Sequence, residues 1–526
     1  MQQRQPAIKS MKQDDALDIL KTGASVFLTG EPGSGKTHTV NRYVDYLRAC
    51  GLEPAITAST GIAATHIQGR TIHSWSGIGV RLPISRGQIE RIAENRYTAK
   101  RIRNAPVLII DEISMLGPDV LHAVDMVCRH VRGSPAPFGG LQVVLVGDFF
   151  QIPPVVRKDE PAGGLGLDGP QDGPLFAHGS KAWRDLDPTV CYLTEQHRQN
   201  DGGFLELLSA IRADTVGAAE RKALGERRVD KNDLPRDLTR LYTHNRDVDR
   251  INLARLAEVP GDARVFDMKA RGPDPLVAAL KRGCLTGEEL GLKEGAAVMF
   301  IKNDPGGRYV NGTLGIVTGF DNKGWPVVRT REGRKVVAEP VDWQMEEDGK
   351  SAAKITQVPL RLAWAITVHK SQGMSLDAAA VDLSHAFDYG QGYVALSRVR
   401  SLEGLHLAGW NERALRVHPE ALAKDEEFRS ASETALRAHQ QRDDREISRL
   451  QDEFIRDAGG RTPAPAAPRF GNTRGARSKA YQPWSRDEED RLRAYFDKGA
   501  PISQIAETLG RKPGAIRSRM RKLGLI

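Results

Sequence analysis

The chain has 526 residues, 27% of them charged, a formal net charge of +9 and four cysteines. That length exceeds one ordinary domain, and the mild basic excess suits a polyanionic partner without singling one out. The cysteines, at 50, 128, 191 and 284, form no Cys-x-x-Cys pair, and there is neither an 18-residue apolar run nor an apolar core in the opening MQQRQPAIKSMKQ; these patterns argue against a zinc or disulfide framework, a secretory signal and a membrane span, and fit a reducing, cytoplasmic (nucleoid-associated) setting.

Up to about residue 155, short apolar runs alternate with helical patterns: SVFLTG at 25–30, APVLIIDE at 105–112 and LQVVLVGD at 141–148. Each is apolar throughout rather than alternating, as strands buried on both faces of a parallel sheet require. The expected fold class is therefore α/β and doubly wound. The first run leads into Gly30-Glu-Pro-Gly-Ser-Gly-Lys36-Thr37 and then a helical stretch. That is the P-loop pattern: glycines turn backbone N–H groups toward phosphate oxygens, the helix N-terminus adds orphan donors, Lys36 meets the β- and γ-phosphates, and Thr37 offers a hydroxyl to Mg2+. Asp111 and Glu112 end the second run, where one carboxylate serves the metal and the next the attacking water. Gln151, in GDFFQIPP after the third run, is placed to sense a γ-phosphate, although a plain strand-ending turn would read the same way.

Residues 158–174 are rich in Gly and Pro and read as loop. A second α/β region covers 185–411, with strand candidates RLYTHN at 240–245, AAAVDLS at 378–384 and GLHLAG at 404–409. Inside it, 295–358 breaks into short strands separated by turns and reads as a small inserted β-barrel. Arg198 and Arg398 both lie beyond the first sheet, so either would reach a nucleotide only across a cleft between domains; a lone arginine is more often a surface ion pair. Residues 412–457 form a charged helical extension and 458–480 a Pro/Gly/Ala-rich basic linker. The segment 481–526 reads as an all-α three-helix module: a first helix about 486–497, a second ending at Gly510, a third after Pro513 carrying Arg517, Arg519 and Arg521. Ile505, Ala506, Leu509, Ile516, Met520 and Leu523 are its expected core, and the pattern is that of a helix-turn-helix or Myb-like DNA-binding unit, or of a partner-binding module with a solvated basic face.

Seven ordered segments together resemble the Pif family of DNA helicases, in the RecD-like branch of superfamily 1B: GEPGSGKT at 30–37, TASTGIAATHIQGRTIHSW at 57–75, VLIIDEISML at 107–116, FGGLQVVLVGDFFQIPPV at 138–155, LTEQHRQ at 193–199, LAWAITVHKSQGMSLD at 362–377 and GYVALSRVRSLEGL at 392–405. The ASTG stretch, where many relatives carry proline before Thr-Gly, is a minor departure. The resemblance implies two RecA-like P-loop NTPase domains, 1–184 and 185–411, clasping ATP and Mg2+, with a wedge subdomain about 76–100 and 5′-to-3′ movement on single-stranded DNA. It also implies roles. Gln13 reads adenine; Gly33, Ser34, Gly35, Lys36, Thr37 and Gly373 hold the nucleotide; Thr37 and Asp111 hold the metal; Arg198 and Arg398 are arginine fingers. Thr60, Gly61, His73, His369 and Ser371 face DNA. The expected partners are single-stranded and forked or tailed duplex DNA, with RNA–DNA hybrid a further candidate, and the expected motor is a monomer. Two other readings stay open, a nucleotide-gated DNA switch and an RNA helicase.

Overall fold

The computed structural model describes residues 10–154, 174–195, 201–462, 486–497, 502, 505, 506, 509, 513–523 and 525, apart from 61, 62, 65, 66, 68, 80–82, 231, 232, 236, 237, 285, 303, 305, 310, 311, 332, 348 and 349. Six strands, β1 (Val26–Gly30), β2 (Ala55–Ala58), β3 (Arg70–Thr71), β4 (Val107–Asp111), β5 (Gln142–Val146) and β6 (Thr189–Leu193), form a parallel sheet in the order β3-β2-β4-β5-β1-β6. The unbroken apolar runs have a direct cause. Phe27, Leu108, Ile110, Val143 and Leu145 pack on one face with the helix Pro118–Arg132. Val26, Leu28, Val107, Ile109, Val144 and Val146 pack on the other with helices Gln13–Lys21 and Lys36–Ala49. With side chains alternating along a strand and both faces covered, every position must be apolar. Because neighbouring strands are in register (Val26 opposite Val144, Ile109 opposite Val144), their carboxyl ends share one edge of the sheet, and the P-loop, Asp111 and Asp148 emerge there.

Four boundaries differ from expectation. The first sheet does not end before residue 184: Thr189–Leu193 joins it beside β1, so the division falls after β6. The barrel begins well before 295 and ends after 358. Phe266, Leu290 and Leu292, from strands Arg264–Asp267 and Glu289–Leu292, share its core with Val298, Phe300, Val317, Val328 and Leu360. The third difference is the helical extension, which is part of the first lobe. Helix Pro419–Gln440 lies along β6, placing Ala421 and Phe428 in one core and Leu436 in the other, where Ile455 of helix Asp444–Asp457 joins it. Ser432 Oγ accepts the Tyr192 N–H at 2.9 Å, so the helix covers an open backbone edge as well as apolar surface. The linker also starts later than 458. Gly460 N donates to Ile455 O and Arg461 N to Cys50 O, and 463–480 lies outside the described residues, as does nearly all of the 158–174 loop.

The second sheet is also parallel, with strands in the order Ala365–Thr367, Arg240–Tyr242, Ala379–Leu383, Leu405–Trp410. The expected wedge segment consists of helices Arg86–Glu94 and Arg96–Asn104, capped by Ser85 and Asn95, whose Ile89, Ala99 and Ile102 anchor in the first lobe's core. Among the described residues no helix is long and apolar enough to cross a membrane.

Residues 463–526 form a separate compact unit. Helices Arg486–Asp497 and Pro513–Lys522 enclose buried Leu492, Ile505, Ala506, Leu509, Ile516 and Met520, with Leu523 partly buried against them. Arg517 is exposed, but Arg519 turns inward to pair with Glu489 and so is no free phosphate contact; the Arg521 side chain lies outside the described residues.

Phe428 packs 5.0 Å from the Phe27 ring, 5.9 Å from Phe149 and 6.2 Å from Trp183. Phe428→Ala should therefore lower stability by about 3–5 kcal/mol, read by chemical denaturation of the first lobe. A loss near zero would show that the helix rides on the lobe without holding it.

Candidate functional site

Gly30-Glu-Pro-Gly-Ser-Gly-Lys36 wraps the carboxyl end of β1 and feeds the helix Lys36–Ala49. Gly35 has φ +90°, a left-handed conformation that strains any residue with a Cβ. No side chain caps the helix N-terminus. Its orphan N–H groups and the buried, unpartnered Ser34 hydroxyl make a cradle for an anion. Lys36 Nζ donates to the carbonyls of Gly30 (2.7 Å) and Glu31 (3.1 Å) at the mouth of this turn. Gln13 Nε2 donates to Ser34 O at 3.3 Å, placing that side chain against the loop.

The cradle opens into a cleft of about 540 Å³ lined by Pro32, Gly33, Gly35, Lys36, Thr37, His38, Glu112 and Gln151 from the first lobe and by Gly373, Ser375, Arg398 and Arg400 from the second. Nearly every residue expected to touch the phosphates is therefore brought to one space from sequence positions hundreds of residues apart. Arg398 is 2% exposed. Its Nε donates to Val394 O (2.8 Å) and its Nη2 to Ser397 Oγ (2.8 Å), which fixes the guanidinium at the end of helix Gln391–Leu396. Arg198 lies outside the described residues.

Glu112 has φ +53°, a left-handed conformation that is strained for a residue with a Cβ. The Asp111 carboxylate accepts the Glu112 N–H at 2.9 Å. Across the cleft, Gln372 Nε2 donates to Glu112 Oε2 at 2.8 Å and lies 3.3 Å from Gln151 Oε1. Burial, reinforced by the Asp111 charge and opposed by Lys36 and Arg398, pushes the Glu112 carboxyl up to about 7. Burial also raises Asp111, against the pull of its hydrogen bond from Glu112 N and of Lys36. Among the described residues no group of three or more His, Cys, Asp or Glu could hold a metal on its own. The Thr37 hydroxyl and the Asp111 carboxylate are a sparse set of hard oxygens, which fits magnesium that takes its remaining ligands from water and phosphate.

Two residues that reading the sequence did not single out are central. One is Gln372, between the flagged Ser371 and Gly373. The other is Arg212, buried at 4% exposure between the lobes. Its Nη1 donates to Asp148 Oδ1 (2.8 Å), Asp148 Oδ2 (3.0 Å) and Tyr393 Oη (3.1 Å), and its Nη2 to Tyr192 Oη (2.7 Å). The only sequence signal was an arginine closing an otherwise apolar helical face, LLSAIR. Ser371, expected to face DNA, is instead fully buried and donates to Val368 O at 2.7 Å, which fixes the turn carrying Gln372. Thr60 Oγ1 accepts the Ala63 N–H at the end of β2, and Gly61 lies outside the described residues. His73 and His369 are partly buried, and burial lowers the pKa of both.

Residues 9–204 match the family described as PIF1-like helicase. The ATP-dependent DNA helicase Pif1 of Psychrobacter sp. (strain PRwf-1) is 42% identical over 509 residues, covering 86% of this chain and 75% of that protein. The human ATP-dependent DNA helicase PIF1 is 36% identical over 428 residues, covering 79% of this chain and 64% of that protein. The Pif1 helicase from Candida albicans superposes with a TM-score of 0.68 at 33% identity, covering 80% of this chain and 100% of that one. A Bacteroides Pif1 helicase in complex with ADP-AlF3 and ssDNA superposes with a TM-score of 0.59 at 31% identity, covering 80% and 96%.

A carboxyl raised from an ordinary 4.5 to about 7 takes up protons on folding between those values, so its contribution to stability falls as pH rises through that window and stays low above it. Glu112→Gln keeps an acceptor for Gln372 and removes the charge. It should raise the thermal midpoint at about pH 8 and leave it nearly unchanged at about pH 4. Equal shifts at both pH values would mean that ionisation is not the cause.

Proposed function

The chain belongs to the PIF1-like helicase family, and from that premise we propose that it is an ATP-hydrolysing DNA helicase that moves 5′ to 3′ along one strand and unwinds duplex. The single observation that carries this reading is Arg398 of the second lobe lining the same cleft as Lys36 and Glu112 of the first. A nucleotide gripped from both sides makes its hydrolysis sensitive to the distance between lobes, and that distance sensitive to hydrolysis.

In this reading the glycine cradle and Lys36 hold the β- and γ-phosphates, and Gln13 reads the adenine beside the loop. Thr37 and Asp111 would hold Mg2+, which when bound neutralises charge between the phosphates. Ionised Glu112, oriented by Gln372, accepts a proton from water as its oxygen attacks the γ-phosphorus and the bond to the β–γ bridging oxygen breaks. Gln151 contacts the γ-phosphate, Arg398 stabilises the charge spreading over it, and Arg198 is assigned the second finger on its motif alone. Thr60, His73 and His369 face the single strand, and Gly61 is assigned to it on its motif alone. The helical pair at 86–104 acts as the wedge, and the carboxyl-terminal unit tethers the motor to duplex near a junction through Arg517.

The test is strand displacement with tailed duplexes alongside DNA-stimulated ATPase. A 5′-tailed substrate should be opened and a 3′-tailed one left intact. Lys36→Ala should abolish hydrolysis, and Arg398→Ala should slow it by roughly a thousandfold or more. Near-normal DNA-stimulated turnover in Lys36→Ala would sink the assignment. Removing residues 463–526 should weaken binding to forked DNA while sparing short single strands. Unchanged fork affinity would refute the tether.

A further inference from the structure

Three loops leave the carboxyl ends of three adjacent parallel strands of the second sheet, Ala365–Thr367, Arg240–Tyr242 and Ala379–Leu383, and each brings a ring to the same place. The rings are His369, His244 and Phe387. Phe387 is 51% exposed, one of few large apolar side chains open to solvent. Its centroid lies 4.9 Å from the His244 ring and 6.4 Å from the His369 ring, the planes of the latter pair nearly parallel at 20°. The platform is held from below. Fully buried Gln391 accepts the N–H groups of Phe387 (3.1 Å) and Asp388 (3.4 Å) through its Oε1. Thr243 Oγ1 lies 2.9 Å from His244 Nδ1 and donates to His385 O at 3.2 Å. An aromatic face this exposed carries a hydration penalty that nothing in the lobe offsets, and backbone pinned on two sides is more order than a solvent-facing loop needs for itself.

We infer that Phe387, flanked by His244 and His369, is a stacking platform for one nucleobase of the strand the protein tracks. The assignment rests on the helicase reading and gives it a contact to the bases in addition to the backbone. Loops at the carboxyl ends of parallel strands are where open α/β sheets bind ligands. An aromatic ring beside positive charge is the usual means of holding a single strand without reading its sequence. The cation nearest in the chain is Lys370, next to His369 and half-buried; burial and Arg361 lower its pKa, and Asp249 opposes them. Burial likewise holds the His369 imidazole toward its neutral form, which stacks without competing for the phosphate. Arg398 follows the helix that Gln391 begins, so the platform and the cleft share one rigid segment, Gln391–Leu396.

The experiment measures binding of the full chain to an oligothymidylate and to an abasic strand of equal length, by fluorescence anisotropy at several salt concentrations. Wild type should prefer the base-bearing strand. Phe387→Ala should cut that preference by roughly tenfold, with abasic binding and the salt slope unchanged, since stacking is lost and phosphate contacts are kept. Phe387→Trp should restore it. If Phe387→Ala keeps the full preference, or weakens both strands equally, the platform is wrong while the helicase reading stands. Failure of the wild type to bind either strand would overturn the helicase reading itself.

Discussion

A single buried guanidinium holds the two lobes in register. Arg212 has left water, and isolating such an ion in the protein interior is expensive unless its N–H groups meet acceptors. Here both Asp148 oxygens and the Tyr393 hydroxyl take Nη1 and the Tyr192 hydroxyl takes Nη2, while Nε meets no acceptor among the described residues. Its planar face lies 3.9 Å from the centre of the Phe150 ring. Asp148 belongs to the turn that carries Gln151, whose Nε2 donates to Asp148 Oδ2 at 3.3 Å. Tyr393 belongs to helix Gln391–Leu396, two residues beyond which lies Arg398. The same ion therefore fixes both walls of the nucleotide cleft. Gly390, at φ +75°, lets that helix start where a Cβ would lie 2.6 Å from the carbonyls of Phe150 and Gln151.

The network reaches a third element. Tyr192 Oη donates to Asp425 Oδ1 at 2.9 Å and accepts from Arg429 Nη2 at 2.8 Å, both on helix Pro419–Gln440. The helix that seals the edge of the first sheet thus also closes the electrostatic shell around Arg212. Its apolar side and its polar side act on the same strand, β6, through Phe428 and through Ser432. Charge density in the sequence makes this stretch look like an external extension; many of its charges are indeed exposed, but Asp425 and Arg429 enter a partly buried network and its apolar residues are few but well placed.

What could be read from the sequence follows a physical line. Strands β1, β4 and β5 were plain because burial on both faces leaves no polar position to confuse the period. The P-loop was plain because its chemistry is contiguous along the chain. The core of the carboxyl-terminal unit was recovered because short helices bury residues at helical spacing, and Ile505, Leu509, Ile516 and Met520 follow it. Thr189–Leu193 was assigned to the wrong lobe because a Gly/Pro-rich stretch precedes it and strand order cannot be read from the chain alone. Strands such as Arg264–Asp267 are not legible because they bury little: three of that strand's four residues are exposed. Gln372 and Arg212 escaped notice because their partners, Glu112 and Asp148, lie 260 and 64 residues away, and no local pattern records such a meeting.

The path of the backbone adds a last consequence. The chain leaves the first lobe after β6, builds the second lobe from helix Gly202–Arg212 to strand Leu405–Trp410, and returns in helix Pro419–Gln440, which lies directly on β6. The strand from which the chain departs and the helix in which it returns are side by side, joined by the Tyr192–Asp425 contact. Two adjacent pins act as a door hinge: they permit swinging about the line they define and resist twisting or sliding across it. Swinging about that line is the lobe motion the path of the backbone resists least.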